Sequence, residues 1–194
     1  MKRENSATMI SDKVGRKDIT SYLSQLVEEK IDPYHDTRIY WAKEVTFAPP
    51  KPPANCVIIR KNDGRDVMSL SHIRVDYMMF KPMNNTVSGI EKGDFYCYEV
   101  KSCENDFHSG HGLNFIGDFN YLVMPLHVYY SVKDEIPWGV GVLCPTEENR
   151  LMSMVKARRM SRTRPVSEML LMMFRSAARD RYKTQKEDQS DAEK

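Results

Sequence analysis

The sequence predicts an α/β domain built on a central mixed β-sheet with helices against it. Three patterns carry that prediction. Ile19, Tyr22, Leu23, Leu26 and Val27 recur at helical spacing. The segments SHIRVDYMMF and DFYCYEVKS alternate with a period of two, as half-buried strands do. FNYLVMP and WGVGVLCP are near-continuous apolar runs, the pattern of strands covered on both faces.

Taken in order, residues 1–17 are polar and without periodicity, and a first amphipathic helix follows Asp18 to about Lys30, where Asp32 and Pro33 end it. Residues 38–47 are rich in aromatic and β-branched side chains and read as a strand. The proline-rich loop APPKPPAN leads to CVIIR and an Asp-Gly turn in KNDGR, which suits an inserted ribbon. In the next strand, strict alternation puts Ile73, Val75, Tyr77 and Met79 on one face and Arg74, Asp76, Met78 and Phe80 on the other. KPMNNTVSGIEKGD is expected to be a loop. In the strand after it, Glu99 and Lys101 must point the same way as Phe95 and Cys97. LHVYYSVKDEI reads as a helical crossover between the two apolar strands. Met169, Leu170, Met173, Phe174, Ala177 and Ala178 form the stripe of a last helix, and KTQKEDQSDAEK has no core-forming residue and is expected to be a disordered tail.

At 194 residues, 41% hydrophobic and 29% charged, the chain suits one folded domain over residues 18–182, with 1–17 as an arm and 183–194 as the tail. There is no run of ~20 apolar residues to span a bilayer and no apolar signal-peptide core near the start, so a cytoplasmic protein without membrane contact is expected. Cys56, Cys97, Cys103 and Cys144 form no CxxC pair and read as reduced thiols. A net charge of +2 diagnoses no partner, which leaves the distribution of charge to do so.

Asp76 interrupts an inward strand face, where a carboxylate is costly unless paired, hydrogen-bonded or holding a cation. Glu99 and Lys101 supply a second carboxylate and an amine from the next strand. Two converging carboxylates suit Mg²⁺ or Mn²⁺, which would neutralise a scissile phosphate and acidify a bound water while Lys101 stabilises developing charge. The plain alternative is a structural salt bridge of Lys101 with Asp76 or Glu99 across adjacent strands.

This order, with Asp76 in RVDYMMF and Glu99 and Lys101 in FYCYEVKS after an N-terminal helix, resembles the PD-(D/E)XK nuclease superfamily. EVKSCENDF followed by DFNYLVMP is similar to its MmcB-like, DNA-repair-type branch. The resemblance covers roughly residues 19–160 and implies a restriction-endonuclease-like core. It implies that Asp76 and Glu99 are metal ligands, that Lys101 is the catalytic lysine, that the Val100 carbonyl is a further ligand, and that Glu28 or Glu29 is an added acid from the first helix. It also implies DNA as the substrate, in repair, recombination or a mobile element. Two departures stand out: Val75 where the motif has proline, and the glycine-rich HSGHG where the branch has a charged, aromatic helix.

KARRMSRTR places Lys156, Arg158, Arg159, Arg162 and Arg164 within nine residues, a phosphate-contacting patch or a solvated face. His108 and His111 lack a zinc-type cluster and read as a polar loop, near the phosphate path if the nuclease reading holds. Tyr129, Tyr130 and Trp138 read as core before they read as base-stacking groups. The competing function is a nuclease-fold module that binds nucleic acid or a protein partner without turnover; oligomeric state is unspecified. A third reading is an interaction protein with no nucleic-acid role.

Overall fold

In the computed structural model, the described residues are 15–36, 38–48 and 73–192, with side chains described as far as 182. CVIIR, KNDGR and Cys56 lie outside them, as does most of the N-terminal arm. The elements are α1 (Arg16–Ile31), β1 (Tyr40–Phe47), β2 (Ile73–Lys81), α2 (Val87–Glu91), β3 (Asp94–Val100), α3 (Glu104–His108), β4 (Phe119–Val123), α4 (Leu126–Val132), β5 (Gly141–Pro145), β6 (Leu151–Val155) and α5 (Val166–Ala192).

Among the described residues, six strands form one sheet in sequential order. The β1–β2, β2–β3 and β5–β6 pairs are antiparallel, while β3–β4 and β4–β5 are parallel. The protein is thus an α/β fold on a mixed sheet. The parallel pairs require crossovers, and α3 and then α4 supply them.

Three apolar clusters hold the layers together. Met169, Met173 and Val166 of α5 pack on Ala42, Met78, Phe80, Phe95 and Cys97. Phe107 of α3 and Val128 and Val132 of α4 pack on Leu122, Val142 and Cys144. Leu23, Val27 and Ile31 of α1 pack on Tyr77, Tyr98, Val100, Val123 and Leu143. Consecutive residues of β3 and β4 fall in different clusters, so α1 lies on one face of the sheet and α3, α4 and α5 lie on the other.

Several expectations are corrected. Gly15, not Asp18, precedes the first turn of α1; Asp18 accepts the Gly15 amide at 3.0 Å. The loop after β2 contains α2, whose Thr86 cap accepts the Gly89 amide at 3.1 Å. β6 had no strong period-two signal, because Met152, Ser153 and Val155 are all exposed on an outer strand. Of the α5 stripe, Met169 and Met173 are buried, but Phe174 is 77% exposed, and Ala177 and Ala178 are exposed too. Helix α5 continues to Ala192, through the stretch expected to be disordered; KTQKEDQSDA lacks large apolar residues but is rich in good helix formers.

The alternation predicted for β2 holds only from Tyr77 onward. Tyr77 and Met79 pack toward α1, yet Ile73 and Val75 join Met78 and Phe80 in the α5 cluster. The β1–β2 register passes from Lys43–Tyr77 to Val45–Val75 and skips Glu44 and Asp76. Glu44 has φ 55°, an uncommon angle for a non-glycine residue, and this local kink resets the side-chain alternation on both strands. Helix α5 is tied to the kink. The Ser176 hydroxyl donates to the Lys43 carbonyl, and Arg179 donates to the Glu44 carbonyl at 3.0 Å.

Candidate metal and phosphate site

Asp76 is outside the ladder on both sides. Pairing of β2 with β3 stops at Tyr77–Tyr98, one step before Asp76 would face Glu99. The strands are instead linked by a side chain: the Val100 amide donates to Asp76 Oδ2 at 2.9 Å. Arg74 lies 4.0 Å from Asp76 Oδ1 and 3.2 Å from Glu44.

Glu99 pairs in register with Leu122 of β4, so it emerges on the face of α3 and α4, in line with Cys97. It stands at the seam between the α5 cluster, which includes Cys97, and the α3–α4 cluster, which includes Leu122. Lys101 Nζ is 3.5 Å from Glu99 Oε1 and donates to the His111 carbonyl. Glu99 is 9% exposed and Lys101 2%.

Burial pushes the Glu99 carboxyl up to about 8, and the negative charge of Asp76 adds to this, while Lys101 and the Asp76 amide oppose it. Asp76 is raised chiefly by burial, offset by the Val100 amide. Burial thus disfavours the charged form of both carboxylates, and Lys101 opposes this at each of them without cancelling it. Such a pair of oxygen donors fits a hard divalent cation, since Mg²⁺ is commonly held by one or two carboxylates with waters completing its shell. Among the described residues, no group of three or more His, Cys, Asp or Glu converges, so side-chain ligands would number two.

Asp76, Glu99 and Lys101 are thus brought together, with Val100 bound to Asp76 through its amide. Glu28 is not part of that group. It accepts the Tyr77 hydroxyl at 3.0 Å and pairs with Lys43 at 3.4 Å, because α1 covers the other face of the sheet. Glu29 accepts Gln25 at 2.8 Å on the exposed side of α1.

The basic run is also elsewhere. Arg159 pairs with Asp94 at 2.7 Å, and Arg162 donates to the Gly93 carbonyl at 2.9 Å; both contacts lie at the start of β3. Asp94 and Glu99 are five residues apart, roughly 17 Å along a strand at about 3.3 Å per residue. Asp118, which is buried, lies 3.5 Å from both guanidiniums and accepts the Phe95 amide at 2.8 Å. Arg164 is bound by Glu168 and donates to the Ala48 carbonyl at 2.7 Å. Arg158 sits over Trp138, 5.3 Å from the ring centroid, and Lys156 is exposed. Arg159, Arg162 and Arg164 line a cleft of about 560 Å³, but Glu91 and Asp118 share its wall. Three of the five cations are therefore structural ties that anchor residues 156–165 to the sheet.

Tyr130 (59%) and Trp138 (73%) are exposed, against the core reading, while Tyr129 is half-buried. His108 pairs with Glu135 at 3.1 Å. Cys97 and Cys144 are buried free thiols, and Cys103 is free and half-buried.

Sequence reasoning missed Gly112. A Cβ there would lie 1.4 Å from Glu99 Oε1, and its φ is +76°. Glycine meets the close approach without displacing the Glu99 carboxylate and takes the left-handed backbone without strain. The HSGHG segment, which looked like a departure from the nuclease pattern, is what packs against Glu99 and Lys101. Its one legible signal was the Gly-x-Gly spacing so soon after the EVK strand.

No family model matches the chain, and no curated protein matches it. A solved structure, the SPO1766 protein of unknown function from Silicibacter pomeroyi, is similar at 14% identity and a TM-score of 0.49, over 86% of this chain and 88% of that one. Among the described residues, no helix is long and apolar enough to cross a membrane.

Proposed function

We propose that this chain is a Mg²⁺- or Mn²⁺-dependent nuclease of PD-(D/E)XK type, with a restriction-endonuclease-like core, that hydrolyses phosphodiester bonds in DNA in the cytoplasm. The observation that carries the reading is the meeting of Asp76, Glu99 and Lys101 where β2 and β3 part. A salt bridge alone would account for Glu99 and Lys101. It would not account for a second, half-buried carboxylate beside them.

The carboxylates of Asp76 and Glu99 would hold the ion, with the Val100 carbonyl as a third oxygen donor. A divalent ion there supplies charge neutralisation for a phosphate and a more acidic water. The Val100 amide fixes the Asp76 carboxylate, leaving its other oxygen for coordination. Lys101 offers an ammonium beside Glu99, close enough to donate to a phosphate oxygen or to orient a water. Neither Glu28 nor Glu29 is assigned a part. DNA repair, recombination and mobile-element biology are the processes in which such an activity would serve.

One observation favours the second reading, a nuclease-fold module that binds nucleic acid or a protein without turnover. Of the cations expected to hold phosphate, Arg159 and Arg162 are tied about a strand's length from the acidic pair, and Arg159, Arg162 and Arg164 are each paired with a carboxylate. Incubating the protein with supercoiled and linear duplex DNA, single-stranded DNA and RNA, each with Mg²⁺ or Mn²⁺, tests both. The nuclease reading expects metal-dependent cleavage of at least one DNA form, lost in Asp76→Ala, Glu99→Ala and Lys101→Ala. Salt-sensitive binding without cleavage of any form would favour the module.

A further inference from the structure

Lys101 and Glu99 are covered by one short segment. After α3, Gly110 has φ +71° and Gly112 φ +76°, and Phe115 has φ 45°. The segment is fixed at both ends. On one side, the Ser109 amide donates to the Asn105 carbonyl at 3.0 Å. On the other, Asn120 brackets Gly117 through two hydrogen bonds of 3.0 and 2.9 Å, and Ile116 is buried in the α5 cluster. Between these points the anchors are weak: Leu113 and Phe115 are only partly buried, and His111 and Asn114 are exposed.

The segment meets the site at two places. The His111 carbonyl accepts Lys101, and Gly112 lies on the Glu99 carboxylate. The cavity beside them, lined by Glu99, Gly112, Cys97, Phe115 and Asn120, is about 10 Å³. That is about the room needed for one water and far too little for a phosphate group. A carbonyl oxygen thus occupies one of the three donor positions of the amine, one that a substrate's anionic oxygen would take.

We propose that residues 110–115 are a lid over Lys101 and Glu99. The His111 carbonyl is its latch, and a phosphate oxygen of the substrate takes that carbonyl's place on the amine when the lid opens. The ligand class rests on the nuclease reading; the opening does not. Positive-φ residues at 110, 112 and 115 bound the part that moves, and Gly117 marks where motion stops. On opening, the ammonium exchanges the His111 carbonyl for water, and in the complex for a phosphate oxygen, so it is never buried without a partner, which keeps the opening inexpensive.

Reductive methylation of the full chain, followed by site-resolved mass spectrometry in a series of urea concentrations below the unfolding transition, tests the lid without reference to activity. A local opening exposes little surface, so methylation of Lys101 is expected to be much slower than that of exposed Lys133 and insensitive to urea. Phe115→Ala, which removes an anchor, is expected to speed it about tenfold while Lys133 is unchanged. Methylation of Lys101 that climbs with urea along the global unfolding slope would overturn the lid, as would a rate equal to that of Lys133. A lid that opens on a protein that never cleaves removes the nuclease reading alone; cleavage by a protein whose Lys101 is released only by global unfolding removes the lid alone.

Discussion

The Asp76 carboxylate takes the Val100 amide at 2.9 Å, in the place where the β2–β3 ladder would otherwise continue to Glu99. A side chain thereby does the work of a backbone carbonyl, and the two strands part with their acidic residues still beside one another. This bond gives the half-buried Asp76 carboxylate a backbone partner. It also predicts that the site and the fold share some of their stability.

Replacing Asp76 by Asn keeps an oxygen acceptor for the Val100 amide, whereas Asp76→Ala leaves that amide unpaired. Asp76→Ala is expected to lose about 1–3 kcal/mol of stability, and Asp76→Asn less than about 1 kcal/mol. Urea unfolding of the three proteins checks this; equal losses for both variants would show that the bond has no structural role.

The pH dependence follows from Glu99. Its folded value, about 8, lies above the ordinary 4.5, so the folded state favours the protonated form. The stability tied to that proton is fully present below pH 4.5 and is lost as pH rises through about 8. Without divalent ions, unfolding free energy should therefore decline through neutral pH, and Glu99→Gln should flatten the decline. Adding Mn²⁺ should restore stability most at the alkaline end. A wild-type profile that matches that of Glu99→Gln would contradict the assignment.

Gly112→Ala places a methyl against Glu99 and a side chain in left-handed backbone. The backbone term alone is expected to cost about 1–2 kcal/mol. Gly110 has a similar φ but open space within 4 Å of where a Cβ would stand, so Gly110→Ala isolates that term. Chemical denaturation of Gly112→Ala beside Gly110→Ala should show the larger loss at residue 112, and an equal loss would mean that Glu99 yields freely.

Arg162 is expected to act on stability rather than on nucleic acid. Arg162→Ala leaves buried Asp118 with less compensation and should cost about 2 kcal/mol or more. The salt dependence of DNA binding should not change. A reduced salt slope in Arg162→Ala, with normal stability, would return this residue to the phosphate path.

The sheet was legible because its strands carry strong local signals: alternation in DFYCYEVKS and unbroken apolar runs in β4 and β5. The common direction of Glu99 and Lys101 followed from their spacing alone and is observed at 3.5 Å. The side of Asp76 was harder to read, since the kink at Glu44 breaks the period that assigned Ile73 and Val75 to the other face. Lys156 to Arg164 looked like a phosphate patch because a sequence shows charges but not their distant partners, Asp94, Asp118 and the Gly93 carbonyl. Glu28 faced a similar limit, as its partners Tyr77 and Lys43 come from strands that the helix only meets on folding. The role of Gly112 was hard to read for a related reason: it is set by a carboxylate thirteen positions earlier in the chain, and only the Gly-x-Gly spacing hinted at it.

Calorimetric titration of Mn²⁺ into the wild-type protein and into Asp76→Asn, at neutral pH and in two buffers of different ionisation enthalpy, tests most directly whether the acidic pair holds a metal. Saturable binding to the wild type with net proton release, since Glu99 must ionise to coordinate, and its marked weakening in Asp76→Asn are predicted. No saturable binding to the wild type, or equal binding to both proteins, would contradict it.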